Sequence, residues 1–373
     1  MHAATGLTCK CPFKQLTEDY SVSGSVTDWM ESYLTNRTQQ VTIDGHFSDH
    51  ISLDYGFPQG SCLGPFGFKL YTKPLTSIAQ SHGINIHLYA DDTQLYVEFD
   101  PENSEPVLER LERCIEEIRV WMNKNFLKLN EDKTEFIIFG TKSNIAKVSG
   151  WTVTVGDVEI LPSKSARNIG AYLDSQLTMD CHINNIIKSS YLQLRHLGKI
   201  RKYLTIEATE KLVHAFITSR LDNLNALLCN LNQSQIKRLQ LVQNNAARLV
   251  LQKKRSCHVS PLLQQLHWLP IKYRIQYKVL LLVYKSLNNS GPAYLSALLQ
   301  LPTTQRLRSS LLLIQPRPAR TKYGERAFSW VAPQLWNTLP QDIRLASSVN
   351  SFKSVLKTYL FKKCFGDMCE SYL

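Results

Sequence analysis

Two adjacent carboxylates, Asp91 and Asp92, stand between two short runs in which apolar and polar residues alternate with period two. The first run is Ile84-Asn85-Ile86-His87-Leu88, and the second is Thr93-Gln94-Leu95-Tyr96-Val97-Glu98-Phe99. The alternation predicts a strand, a tight turn at Tyr89-Ala90-Asp91-Asp92 and a second strand. Carboxylate oxygens held at a hairpin tip suit a hard divalent cation such as Mg²⁺ or Mn²⁺, together with waters and substrate phosphates. Two such ions about 3.5–4 Å apart serve in-line phosphoryl transfer. Aspartate is also a common turn former, so taken alone the pair reads as turn chemistry.

The surrounding elements favour the chemical reading. Thirty residues upstream runs Gly56-Phe57-Pro58-Gln59-Gly60-Ser61-Cys62-Leu63-Gly64-Pro65, whose glycines and prolines let a chain pass close to another backbone or a ligand before a helix begins. Downstream, Leu108, Leu111, Ile115, Ile118 and Met122 recur at helical spacing and predict an amphipathic helix over 105–125 with a charged outer face. Residues 26–34 read as a short helix, 42–53 as strand and turn, and 136–139 as a buried strand ending at Gly140. A second hairpin is predicted over 153–160 around Gly156-Asp157. From His182 onward the apolar spacing becomes helical.

These motifs resemble, in order and spacing, those of reverse transcriptases from LINE-type, non-LTR retrotransposons of the jockey-like group. The Gly56–Pro65 block resembles motif B and Tyr89-Ala90-Asp91-Asp92 resembles motif C. Leu127-Lys128-Leu129-Asn130-Glu131-Asp132-Lys133-Thr134-Glu135 resembles motif D, and Asn168-Ile169-Gly170-Ala171-Tyr172-Leu173-Asp174 resembles motif E, the primer grip. Trp29-Met30-Glu31-Ser32-Tyr33-Leu34-Thr35-Asn36-Arg37-Thr38-Gln39 resembles the run that precedes motif B. Leu266-His267-Trp268-Leu269-Pro270 and Ala332-Pro333-Gln334-Leu335-Trp336-Asn337-Thr338-Leu339-Pro340 resemble elements of the family's tail.

The resemblance implies RNA-directed DNA synthesis by two-metal nucleotidyl transfer. Its partners would be an RNA template, a DNA primer and dNTPs, and its cofactor Mg²⁺ or Mn²⁺. Asp91 and Asp92 would ligate metal and Tyr89 would pack near the primer end. Gln59, Gly60 and Ser61 would lie against the templating pair and the incoming nucleotide. Lys133 would protonate the leaving pyrophosphate, or else make a structural ion pair with Asp132 or Glu135. Ile169, Gly170, Ala171, Tyr172 and Leu173 would position the primer. The family's motif A aspartate, a third metal ligand, has no counterpart here. Its window falls near Thr5, and residues 1–17 contain neither Asp nor Glu. The expectation is therefore a polymerase truncated before or at motif A and incomplete as a catalyst, the alternative being a non-catalytic nucleic-acid-binding or relic fragment.

Charge is divided sharply along the chain. Residues 1–180 hold 15 Lys+Arg against 24 Asp+Glu, and residues 181–373 hold 28 against 7. So basic a C-terminal half suits a phosphate backbone. Within it, 235–255 combines an apolar stripe with Lys237, Arg238, Arg248, Lys253, Lys254 and Arg255 lying off it, as expected of a helix that follows nucleic-acid phosphates. Trp268, Trp330 and Trp336 would either stack bases or fill the core of a helical tail. Nine scattered cysteines give no disulfide framework and no zinc spacing, which points to a reducing, intracellular compartment without a disulfide-linked partner. No apolar run approaches membrane-spanning length. The expected fold is α+β: an N-terminal fingers and palm remnant (1–50), a right-hand polymerase palm of antiparallel sheet with packed helices (51–178), a helical thumb (179–258) and a basic, mainly helical tail (259–373).

Overall fold

The computed structural model describes residues 21, 23–53, 60–302, 311–317 and 323–366. Contacts divide the chain into two units, Met1–Ala166 and Arg167–Leu373. The first unit carries 14 Lys+Arg against 22 Asp+Glu and the second 29 against 9, so the charge division follows the packing division.

In the first unit, α1 (Ser25–Leu34) buries Met30 and Leu34. β1 (Arg37–Gln39) pairs antiparallel with β4 (Ile51–Leu53), and between them β2 (Thr42–Ile43) pairs with β3 (His46–Phe47). α2 (Gly64–Tyr71) and α3 (Pro74–Ser81) each carry a proline in the first turn, Pro65 and Pro74, whose fixed φ and absent N–H suit that position. Gly83, at φ +63°, ends α3 and turns the chain into β5 (Asn85–Tyr89), which pairs with β6 (Asp92–Tyr96).

α4 (Glu105–Lys124) follows the sequence expectation closely and buries Cys114, Ile118 and Met122. These join Tyr71, Leu75, Ala79, Ile84 and Leu127 in one core, against which Ile86, Leu88, Leu95 and Val97 of the hairpin pack. Full burial of one such side chain is worth about 1.5–3 kcal/mol, so the hairpin's inner face is anchored by area rather than by its short ladder. α5 (Lys142–Lys147) and the hairpin β7 (Val153–Val155) and β8 (Val158–Ile160) complete the unit, turning at Gly156-Asp157 as predicted.

The strand expected over 136–139 is absent. Phe136 makes one parallel bridge to Pro162, and no ladder extends from it. Ile138 is buried all the same. The apolar run reflects packing, and a strand also needs a partner whose N–H groups it can meet; a proline opposite offers none.

β9 (Ser165–Asn168) contains the unit boundary and leads to β10 (Ala171–Asp174), after which the second unit is helical: α6 (Asp180–Ile200), α7 (Ile206–Val213), a π-helical turn at His214–Thr218, and α8 (Ser219–Asp222). α9 (Gln233–Val250) packs along α6, followed by α10 (Ser260–Gln265), α11 (Ile271–Leu287), α12 (Ala293–Ser296), α13 (Phe328–Asn337), α14 (Gln341–Arg344) and α15 (Val349–Phe365). A single core runs from Met179 to Leu360. Trp268 and Trp336 are 4% and 1% exposed, which settles their role as core. Tyr284 stacks on Phe352 at 4.2 Å, and Trp336 lies 5.9 Å from the same ring.

The described sheets are all two-stranded and antiparallel, and helices make up most of the second unit, an α+β arrangement. No helix among the described residues is long and apolar enough to cross a membrane.

Candidate functional site

The β5–β6 ladder runs Asn85↔Tyr96, Ile86↔Leu95, His87↔Gln94, Leu88↔Thr93 and Tyr89↔Asp92, leaving Ala90 and Asp91 as the turn. Ala90 takes φ 51°, the left-handed conformation that a two-residue hairpin turn demands. Period two sends Ile86, Leu88 and Leu95 to the core and puts Tyr89 and Asp92 side by side on the outer face. Tyr89 is 60% exposed, and both aspartates are exposed. On the same face His87 stacks on Tyr96 at 5.1 Å. The fold thus carries two adjacent carboxylates on a rigid tip beside an exposed aromatic ring. Their oxygens fit part of a Mg²⁺ coordination shell, since that ion is commonly held by one or two carboxylates plus phosphates and waters. Among the described residues no three His, Cys, Asp or Glu side chains converge on one point.

Of the motif B residues, Gln59 lies outside the described residues. Gly60 takes φ +80°, and Ser61 Oγ accepts the Gly64 N–H at 3.0 Å, tying the loop to the start of α2. At the other end of α2, buried Tyr71 donates its hydroxyl to the Asn125 carbonyl at 2.7 Å. The motif B helix is therefore pinned to the end of α4, where motif D begins. Lys133 closes a 3₁₀ turn at Glu131–Lys133, capped when Asn130 Oδ1 accepts its N–H at 3.2 Å. Its side chain is exposed.

The stretch that resembles motif E forms the β9–β10 hairpin, with Ile169 and Gly170 as its turn at φ 42° and 85°. Ala171 is buried, Tyr172 and Leu173 are half-buried, and the Arg167 guanidinium lies 5.9 Å from the Tyr172 ring. Four residues with no assigned role from sequence hold this hairpin. His182 Nδ1 accepts the Tyr172 N–H at 3.4 Å. Asp174 accepts the N–H groups of Thr178 and Met179, both at 2.8 Å, and so shapes the loop leading into α6. Gln235 donates to the Thr178 carbonyl at 2.8 Å, and Arg326 donates to the Leu177 carbonyl. Only Asp174 carried a local signal, an Asx-type turn before a helix; the others act across the fold.

The basic residues of 235–255 separate into two groups. Arg238 bonds Asn184 and sits 3.7 Å from Asp180. Arg248 is half-buried and donates to the Cys257 carbonyl at 3.1 Å. Lys237 is exposed on α9, whereas Lys253, Lys254 and Arg255 are exposed beyond its end at Val250, in a turn rather than on the helix.

The region that carries these elements is similar to known proteins. Residues 12–173 match the family model described as reverse transcriptase (RNA-dependent DNA polymerase). The chain is 26% identical over 230 residues to the probable RNA-directed DNA polymerase from transposon BS of Drosophila melanogaster, covering 59% of this chain and 25% of that protein. It is 25% identical over 166 residues to the RNA-directed DNA polymerase from mobile element jockey of the same organism, covering 42% and 17%. For the probable RNA-directed DNA polymerase from transposon X-element the identity is 23% over 235 residues, covering 59% and 24%. The chain spans about a quarter or less of the length of these relatives.

Proposed function

We infer, from a chain whose residues 12–173 belong to the reverse transcriptase family of non-LTR, LINE-type retrotransposons, that it contributes the palm hairpin and thumb of an RNA-directed DNA polymerase. The observation that carries this reading is the outer face of β5–β6, where Tyr89 and Asp92 stand opposite each other beside Asp91. Asp91 and Asp92 would hold a divalent ion, Mg²⁺ or Mn²⁺, whose chemistry when bound is to neutralise phosphate charge and favour the primer 3′-alkoxide. Tyr89 would support the primer end. Gln59, Gly60 and Ser61 would face the nascent pair, with α2 pinned through Tyr71. Lys133, exposed at the end of its 3₁₀ turn, would approach a leaving phosphate, and donation of its proton there would be general acid catalysis.

The hairpin of Ile169, Gly170, Ala171, Tyr172 and Leu173 would act as the primer grip. The second unit, with 29 Lys+Arg against 9 Asp+Glu, would follow the template–primer duplex through phosphates. Lys237, Lys253, Lys254 and Arg255 are the exposed cations that serve this best. A third acidic metal ligand, the family's motif A aspartate, would complete the site.

The test is primer extension on an RNA template with Mg²⁺ or Mn²⁺, comparing the chain with an Asp91→Ala/Asp92→Ala variant. Both aspartates are exposed, so the variant should fold normally. Extension by the parent alone establishes the polymerase. Failure of both, with salt-sensitive binding to an RNA–DNA hybrid retained, replaces it with a non-catalytic nucleic-acid-binding function. A binding constant insensitive to salt would remove the phosphate-contact reading.

A further inference from the structure

In the first unit, residues 38–52 form a β-ribbon in which every residue is exposed. β1 pairs with β4 and β2 with β3, and Val41 and Ser48 link the two ladders. The Ser48 N–H donates to the Val41 carbonyl at 2.9 Å, and the Val41 N–H donates to Ser48 Oγ at 3.0 Å. A two-stranded ribbon is marginal in water until a third strand or a packed surface supports it. Among the described residues no third strand joins this one, and Val41, Ile43 and Ile51 are 60%, 68% and 60% exposed.

The two edges of the ribbon differ. Between the Val41–Ser48 contact and the Gln39↔Ile51 pair, the single residue Gln40 faces both Asp49 and His50, a bulge in the second strand. Bulges and charges keep a sheet edge from pairing, and this edge has both. The opposite edge, Thr38-Gln39-Gln40-Val41-Thr42-Ile43, contains neither a charge nor a proline.

The uncharged edge also has its hydrogen-bonding groups set for a further strand. Val41 turns its N–H and C=O inward to Ser48, so alternation turns those of Thr38, Gln40 and Thr42 outward. The same alternation puts Gln39, Val41 and Ile43 on one face, joined there by Ile51 opposite Gln39.

We propose that this edge pairs with the same edge of a second copy of the chain, antiparallel, about a two-fold axis at Gln40. Thr38 then meets Thr42 of the second copy and Gln40 meets Gln40. Each pair exchanges its outward N–H and C=O groups, so the two ribbons become one continuous sheet. A second copy is the occupant this edge fits. A two-fold axis sets a residue lying on it against its own mate, where a charge would meet its like, and the stretch has none. Threonine opposite threonine is a favourable cross-strand pair. Val41 becomes a diagonal neighbour of Val41 of the second copy, and Ile43 and Ile51 extend the same apolar stripe. Strand addition over so short an edge buries little area, so association is weak.

The experiment is sedimentation velocity of the full chain, treated with nuclease and shown by absorbance to carry no nucleic acid that could bridge copies. A monomer–dimer equilibrium should appear over roughly 1–200 μM. Gln40→Lys sets two cations against each other at the axis, and Gln40→Glu two anions. Each variant alone should dissociate about tenfold more readily or worse, and an equimolar mixture of the two should associate at least as well as the parent. Rescue on mixing fixes the register, because two misfolded chains would not restore one another. Thr42→Pro, whose lost N–H faces outward, should abolish the dimer and spare the ribbon's own ladder. Pairing is independent of polymerase activity, so Asp91→Ala/Asp92→Ala should leave the equilibrium unchanged. A chain that stays monomeric to about 200 μM would overturn the proposal, as would a dimer indifferent to the Gln40 charge variants. A dimer lost in Val41→Ser/Ile43→Ser but kept in Thr42→Pro would put the contact on the apolar face and also overturn it.

Discussion

His182 accepts the backbone N–H of Tyr172 through Nδ1 at 3.4 Å, so the first turn of α6 holds the second strand of the motif E hairpin. The ring is 3% exposed, and Nε2 is buried without a partner. Burial pushes this imidazole below its ordinary 6.5, since a charged ring would lose solvation. Protonation at Nδ1 would also end its acceptor role. The unfolded chain takes up the proton near pH 6.5, whereas the folded chain resists until lower pH. The contribution of neutral His182 is therefore fully present above about pH 6.5 and is lost as pH falls toward the folded value, with a slope of at most about 1.4 kcal/mol per pH unit. Thermal melting between pH 8 and 5 should show this loss, and His182→Leu should flatten it. Parallel profiles for the two proteins would refute the assignment.

Ile169 occupies a left-handed position at φ 42° in the motif E turn, where its branched Cβ is strained. Its side chain is 46% exposed and contributes little burial in return. Ile169→Asn should raise stability by about 1 kcal/mol, read from urea unfolding. A loss of stability would show that the side chain makes a contact worth more than the strain.

Arg326 joins residues 149 apart in sequence by donating to the Leu177 carbonyl. Asn230, three residues before the start of α9, donates to the neighbouring Glu325 carbonyl at 2.8 Å. The guanidinium sits in a partly buried place, which lowers its proton affinity, and nearby Asp174 offsets part of that. Arg326→Ala should cost about 1–3 kcal/mol and accelerate amide hydrogen exchange over 174–179 before the rest of the unit. Uniform acceleration would mean that Arg326 supports the whole unit rather than this loop.

Arg201 is 6% exposed and serves as a carbonyl clamp. It donates to Leu249, Leu204 and Val250 at 2.9, 2.7 and 2.7 Å, closing the C-terminal end of α9. A cation there meets both the unsatisfied carbonyls and the negative end of the helix dipole. Arg201→Met should destabilise by about 3 kcal/mol or more without altering the salt dependence of nucleic-acid binding. A change in salt slope alone would instead place Arg201 on the binding surface.

Thiol reactivity should follow burial. Cys114 and Cys229 are 0% and 7% exposed, and burial pushes both thiols up to about 11. Cys62 and Cys181 are exposed. Alkylation at pH 8 followed by peptide mapping should label Cys62 and Cys181 well before Cys114 and Cys229, because the thiolate is the reacting species. Early labelling of Cys229 would reveal local opening of the second unit's core.

What could be read from sequence alone was whatever a few neighbouring residues decide together. The alternation from Ile84 to Phe99 placed Asp91 and Asp92 at a turn, because side-chain direction in a hairpin depends on counting by two and on turn chemistry. The stripe from Leu108 to Met122 placed α4 within a residue of its ends, because helical spacing is equally local. Tertiary structure decided the rest. Residues 136–139 had the composition of a strand and found no ladder to join. Arg238 and Arg248 read as basic surface from sequence, yet each is engaged by partners outside its own turn. His182 stood in an apolar stripe, and nothing nearby in sequence showed that Tyr172 would meet it. Trp268 and Trp336 were open between stacking bases and filling a core until burial decided. Backbone propensity and side-chain period act over a few residues, whereas satisfying a buried polar group depends on which distant atom the packed core brings within three ångströms.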